Sequence, residues 1–309
     1  MQSKIKNLVE INDGTNNKIY KGIYNNKKII LKKFSKNKES IKKNVNEFKF
    51  TKTLYKNKIN SIAKPVKTSK IKNYSVYEFL KGKKIKRIKD NYIIQCAKFI
   101  NQIQFQDSQK LNIPFSRDSC LSLSDHLNLV NNKLNKILLI KKNKELKLFI
   151  NNVFEPSWLF YQNKFKKKYS KILNQKILKK NLIISPSDFN FNNILLNDKK
   201  LFFFDFEYSG FDDCKKLICD FICQPEVSIN NKHKNIFINA IKKRHITQKN
   251  TIEDLIILHK FKWCLILLNV YISSKIKKKL LNKIDYSKKS QLKKSINYFN
   301  KNKLYKYGN

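Results

Sequence analysis

The sequence predicts an α+β protein of two lobes, a small β-rich N-terminal lobe over residues 1–80 and a larger, mainly helical lobe over residues 81–309. Three features of the chain lead there. Apolar and aromatic runs of strand length, divided by polar turns, fill its beginning. Helical periodicity dominates from residue 83 onward. Strand character then returns briefly between residues 182 and 206, inside the helical part.

In chain order, residues 8–11 lead into the polar turn Asp13-Gly14-Thr15-Asn16-Asn17. Two strands follow over residues 18–24 and 28–34. They are joined at Asn25-Asn26, which tolerate the positive φ of a tight hairpin turn. Residues 38–55 read as a helix with Val45, Phe48, Leu54 and Tyr55 near one face. A strand over residues 71–79 ends at Leu80-Lys81-Gly82. Helices are then expected over residues 92–106, 125–140, 144–154, 158–178 and 251–272, with Ser124 or Asp125 capping the second. Between them, residues 182–185, 193–196 and 201–206 read as strands, the last two turning at Asn197-Asp198.

Composition narrows the function classes. A hydrophobic fraction of 41% is enough for a sizeable core and excludes wholesale disorder. The net charge of +45 invites a nucleic-acid reading, but among 67 basic residues only Arg87, Arg117 and Arg244 are arginine. Lysine, asparagine and isoleucine share A/T-rich codons, so the excess needs no anionic partner. Arginine is the side chain that reads base edges bidentately, and no specific nucleic-acid partner is expected. The six cysteines form no CxxC pair and no disulfide framework, which predicts reduced, buried thiols in a cytoplasmic protein. The apolar stretch over residues 263–272 is too short to span a bilayer, and no membrane span is expected.

The segment SPSDFNFNNILLNDKKLFFFDFE, from Ser185 to Glu207, carries the chemistry. Asp188 is followed five positions later by Asn193, then by a hairpin, then by Asp205 at the end of an apolar strand. Phosphoryl transfer needs such a set. One carboxylate orients the attacking hydroxyl and accepts its proton, while a carboxylate and an amide oxygen hold magnesium against the phosphates. A loop followed by a hairpin lets all three converge on one cleft.

This segment resembles the catalytic and metal loops of the aminoglycoside phosphotransferase and choline/ethanolamine kinase superfamily, relatives of the protein kinases. The catalytic loop there runs H-x-D-x-x-x-x-N and the metal loop begins I-D-F/W-E; FFFDFEYSGFDD is similar to the choline-kinase form. The resemblance implies a protein-kinase-like fold, with ATP and Mg2+ used to phosphorylate a hydroxyl of a small molecule. It implies Asp188 as catalytic base, Asn193 and Asp205 as magnesium ligands, and Glu207 as a further metal-shell group. One departure stands out: Pro186 occupies the place of the family's histidine.

The N-terminal part supplies the matching half. Gly14, Asn16 and Asn17 resemble the turn that covers the nucleotide phosphates. Lys32 resembles the strand lysine that contacts them, with Lys33 as the fallback, and Glu47 matches the helix acid that pairs with that lysine. Glu78 and Leu80 fall where such folds hold adenine through backbone groups. By the same resemblance Asp212-Asp213 read as acids that bolster the catalytic loop or line the acceptor site, or else as a helix N-cap. Asp220 is expected to bond the catalytic-loop backbone. Phe115, Trp158, Tyr161 and Trp263 read as core aromatics or as an acceptor cage. Rival readings are a protein kinase, against which the missing H-R-D and A-P-E segments speak, and an inactive nucleotide-binding module, which Pro186 favours.

Overall fold

A computed structural model of the chain describes residues 5–11, 17–105, 113–140, 143–272 and 287–307. The chain divides into two compact units. One comprises Met1–Arg117, Ile183–Asp212 and Asn230–Lys243; the other comprises Asp118–Leu182, Asp213–Ile229 and Arg244–Asn309. The loops that carry Asp188 and Asp205 therefore belong to the same unit as the N-terminal sheet.

That unit is built on a five-stranded sheet of order β1-β2-β3-β5-β4, from β1 (Lys6–Ile11), β2 (Lys18–Tyr24), β3 (Lys27–Lys33), β4 (Pro65–Ser69) and β5 (Tyr74–Glu78). Asn25 and Asn26 turn β2 into β3 with φ of 48° and 58°, the left-handed pair that a two-residue hairpin requires. Ile29, Leu31 and Val76 form the sheet's core cluster. Helix α1 (Lys38–Lys56) follows β3, and the side chain of Asn37 caps it by accepting from Ser40 N–H. Strand β4 was not anticipated, because its Pro-Val-Lys-Thr-Ser sequence has no sustained apolar alternation.

The face that α1 buries also departs from expectation. Val45 and Tyr55 are 41% and 38% exposed, and the inward residues are Asn44, Glu47, Phe50, Thr51 and Leu54. Asn44, Glu47 and Thr51 share the inward face with Phe50 and the expected Leu54, while Val45 and Tyr55 sit outside. A hydrophobic count alone therefore points to the wrong face.

After a short strand β6 (Lys83–Lys84), helix α2 (Asp90–Gln102) packs on helix α7 (Asn231–Ala240), and Asn101 caps the junction by donating to Ala240 O at 2.8 Å. Strand β6 pairs with β8 (Ile194–Asn197), which pairs with β9 (Lys200–Phe203). Strand β7 (Ile183–Ser185) pairs antiparallel with β10 (Gly210–Asp212). Gly210 is required here. A Cβ at this position would lie 2.4 Å from Pro114 O and 2.4 Å from Ser116 N, both backbone atoms that cannot swing away.

The second unit is helical: α3 (Leu123–Leu138), α4 (Lys144–Phe149), α5 (Glu155–Lys168), α6 (Cys214–Cys223), α8 (Ile252–Leu267) and α9 (Lys288–Lys301). A π-helical turn, Ile150–Phe154, joins α4 to α5, so the two helices expected there run as one. Helix α8 packs on α3, α6 and α9. Trp158, Phe154, Phe261 and Phe299 are fully buried at its centre, with ring centroids 5.4 Å apart for Trp158 and Phe261 and 5.6 Å for Phe154 and Phe261. Trp158 Nε1 donates to Asn131 Oδ1 at 2.8 Å, which satisfies the one polar atom of a buried ring. Trp158 and Tyr161 are thus core residues, while Phe115 is exposed. All six cysteines are free and buried. Among the described residues, no helix is long and apolar enough to cross a membrane.

Candidate active site

Lys32 ends the apolar run of β3 and is buried. Its Nζ lies 2.7 Å from Glu47 Oε2, 2.6 Å from Asp205 Oδ1 and 3.5 Å from Glu207 Oε2. Burial by itself would lower the pKa of this ammonium. The carboxylates of Asp205, Glu47 and Glu207 outweigh it and hold Lys32 well above its ordinary value. Three acids share one cation, so each is only partly compensated. Burial pushes the Glu47 carboxyl up to about 7, against the pull of Lys32. Lys33, next on the strand, is exposed.

Helix α1 and the segment after Asp205 are tied together by amides. Asn46 Nδ2 donates to Ser209 O at 2.9 Å and to Glu207 O at 3.3 Å. Asn17 Nδ2 donates to Glu207 Oε2 at 2.9 Å, so the start of β2 also reaches this acid. Sequence reading missed Asn46. The available signal was its place beside Glu47 on a helix whose polar residues turn inward.

The second group forms around Asp188. Pro186 and Ser187 lead from β7 into the loop, and Ser187 has φ of 67°, in the left-handed region. Asp205 has φ of 68°. For non-glycine residues this region costs on the order of 1–2 kcal/mol each. Such strain clusters where side chains must point in a set direction. Asn193 Nδ2 donates to Asp188 O at 2.9 Å and to Asp188 Oδ2 at 3.2 Å. That leaves Oδ1 as the amide's oxygen donor toward a cation. The β8–β9 hairpin pairs Ile194 with Phe203, and Phe204 N–H donates to Asn193 O at 3.2 Å. Asn193 and Asp205 therefore flank the open end of one hairpin, although they are twelve positions apart in sequence.

Glu78 closes β5 opposite Ile29. Its N–H donates to Lys64 O at 2.9 Å, and the next N–H, that of Phe79, donates to Lys28 O at 3.0 Å. Leu80 lies just past the strand. Gly14 and Asn16 fall outside the described residues. For magnesium the donor set is chemically suitable, since hard oxygens are what it takes. One carboxylate oxygen each from Glu47, Asp205 and Glu207 lie within 4.8 Å of one another.

One expectation needs correction. Asp220 is held by Lys262 and by Lys216 (Nζ to Oδ2 3.3 Å), and its Oδ1 lies 3.2 Å from His259 Nδ1. The reason is helical spacing: α8 places His259 and Lys262 one turn apart on the face that meets α6. Asp213 is the N-cap of α6, its side chain accepting from Lys215 N–H. Asp212 accepts from Ser116 Oγ at 2.5 Å.

A small sheet with a lysine strand and an acid-bearing helix, followed by an Asp-Asn loop and a hairpin ending in an acid, defines the protein-kinase-like fold. It is the fold of the aminoglycoside phosphotransferases and the choline and ethanolamine kinases. The chain is similar to a spectinomycin phosphotransferase solved with ADP and spectinomycin, at a TM-score of 0.65 and 14% identity over 98% of this chain and 91% of that one. It is also similar to the choline kinase LicA from Streptococcus pneumoniae, at 0.62 and 14% over 96% and 94% of the two chains. A Plasmodium vivax ethanolamine kinase matches at 0.56 and 19%, over 97% and 82%. No family model matches the sequence, and no curated protein matches it by sequence.

Proposed function

We propose that this protein is an enzyme that transfers the γ-phosphoryl group of ATP, with Mg2+, to a hydroxyl of a small molecule such as an amino alcohol, a sugar or an aminoglycoside-like compound. The observation that carries the reading is the Lys32 ammonium, buried against Glu47 and Asp205 from two distant stretches of chain. A solvated surface lysine would need no such partners.

In this reading Asp188 orients the acceptor hydroxyl and takes its proton as the oxygen attacks the γ-phosphorus and the bond to ADP breaks. General-base assistance of this kind contributes about 10²–10⁴-fold. Lys32 offsets phosphate charge, and Glu47 keeps its ammonium at the end of β3. Asn193, Asp205 and Glu207 would hold the magnesium, which when bound neutralises charge on the phosphates. Glu78 and Leu80 would meet adenine through backbone groups, and Asn17, with Gly14 and Asn16, would cover the phosphates.

Two measurements test the reading. A thermal shift with ATP and Mg2+ should stabilise the protein, with no gain from an oligonucleotide. Transfer from [γ-32P]ATP should then be scored across amino alcohols, sugars and aminoglycosides. Binding of ATP with no transfer to any acceptor would favour an inactive nucleotide-binding module, the reading that Pro186 supports.

A further inference from the structure

The side chain that sets the direction of the Asp188 carboxylate is unassigned so far, and Pro186, two residues upstream, has no donor to offer. We infer that Asn190 is the positioning residue for Asp188, an assignment that rests on the proposed role of Asp188 as base.

The orientation of the Asn190 amide is fixed by its own backbone surroundings. Asn190 caps the turn Phe191–Asn193, and the atom facing Asn192 N–H at 2.8 Å must be an acceptor, so it is Oδ1. The other atom is therefore the NH2 group. It lies 2.7 Å from Asp188 Oδ1 and 3.3 Å from Asp188 O. Asn190 is only 7% exposed, whereas Asp188 is exposed, so a buried anchor holds an outward carboxylate. Asn193 donates to the other oxygen, Oδ2. Each carboxylate oxygen thus receives a proton from a different amide, and rotation about the Cβ–Cγ bond would break both of these bonds. Ser187 at positive φ sets the backbone, and the two asparagines set the side chain.

The cap and the orienting bond can be separated. Asn190→Asp and Asn190→Ser both keep an oxygen that accepts from Asn192 N–H, but neither keeps the donor to Asp188. In a crystal structure of the wild-type protein, the Asn190 amide should bond Asp188. In Asn190→Ser the Asp188 carboxylate should rotate or occupy more than one position, at unchanged melting temperature. Turnover should fall roughly 10–100-fold in both variants while KM for ATP stays put, as expected when a reacting group is misplaced by about an ångström. In an Asp188→Asn background the Asn190→Ser change should add nothing further, because the two act as one unit.

The inference is overturned if the Asn190 amide sits beyond hydrogen-bonding distance in the crystal. It is equally overturned if Asn190→Ser leaves both the Asp188 position and turnover as in the wild type. If instead Asp188→Asn transfers phosphate as fast as wild type, the base assignment fails, and the Asn190 contact stands as a structural one.

Discussion

Two buried polar networks, one in each unit, differ in how their charges close. In the first, Lys32 faces Glu47, Asp205 and Glu207, three acids to one base. In the second, Asp213 and Asp220 are met by Lys215, Lys216 and Lys262 and bridged through His126 and His259. The first network has an excess of carboxylate and reaches solvent through Asp205, whose side chain is 35% exposed. The second supplies its own cations and is shut in, with both rings fully buried. Acids left short of cations suit a site that receives a metal ion. Acids fully paired inside a helical core suit one that holds helices in register.

Proton counting sharpens the contrast. The contacts are His126 Nε2 to Asp213 at 3.3 Å, His126 Nδ1 to His259 Nε2 at 2.9 Å, and His259 Nδ1 to Asp220 at 3.2 Å. Burial and the nearby Lys262 ammonium hold the His259 pKa well below its ordinary value, despite Asp220. A neutral His259 ring carries one proton for its two contacts, to His126 and to Asp220.

The difference can be broken from either side. The largest effect belongs to Asp188→Asn, which should cut turnover by about 10²–10⁴-fold with ATP binding largely intact, as measured by steady-state kinetics beside a binding titration. Asp205→Ala should abolish Mg2+-dependent nucleotide binding. Its stability in urea should stay within about 1 kcal/mol of wild type, because two acids still face Lys32. Asp220→Ala should do the reverse. It removes the carboxylate that faces buried Lys216 and Lys262 and should cost about 3–5 kcal/mol in denaturant unfolding. If Asp220→Ala unfolds like wild type, the closed network does not hold the helices.

Smaller effects refine the picture. Gly210→Ala should cost about 1–3 kcal/mol, since its methyl group meets backbone rather than flexible side chains. The pH dependence is expected to be gentle. An unfolded histidine takes up a proton near pH 6.5 and folded His259 does not, so acid favours the unfolded state. His259 by itself therefore lowers stability below about pH 6.5, by at most roughly 1.4 kcal/mol per unit. Asp220 acts lower. Burial would raise its carboxyl, but Lys262, Lys216 and His259 hold it well below 3.8, so its contribution is present above that value and lost only in stronger acid. Between about pH 7 and 5 Glu47, raised to about 7, contributes a slope of opposite sign, so the His259 share is read as the difference between urea midpoints of the wild type and of His259→Gln across that window.

Much of the site was legible because its signals are local. The Asp188-to-Asn193 spacing, the Asn25-Asn26 turn and the lysine-ended strand are short-range patterns, and each appears where expected. The inward face of α1 was not legible. Asn44 and Thr51 look like solvent residues until their hydrogen-bond partners are known, whereas Glu47 was expected from its place opposite the strand lysine. Asn190 was overlooked for a related reason, since asparagines are common throughout this chain and only geometry singles one out.

The sequence by itself determined most of the strands and helices, β4 excepted, and singled out the candidate acids and the lysine, because turn chemistry, periodicity and residue type act over a few positions. The tertiary structure decided which of these charges meet. Lys32 and Asp205 are 173 positions apart, and Asn17 and Glu207 are 190 apart. Burial makes each such meeting strongly favourable or strongly costly, and no local pattern records which partner closes the bond.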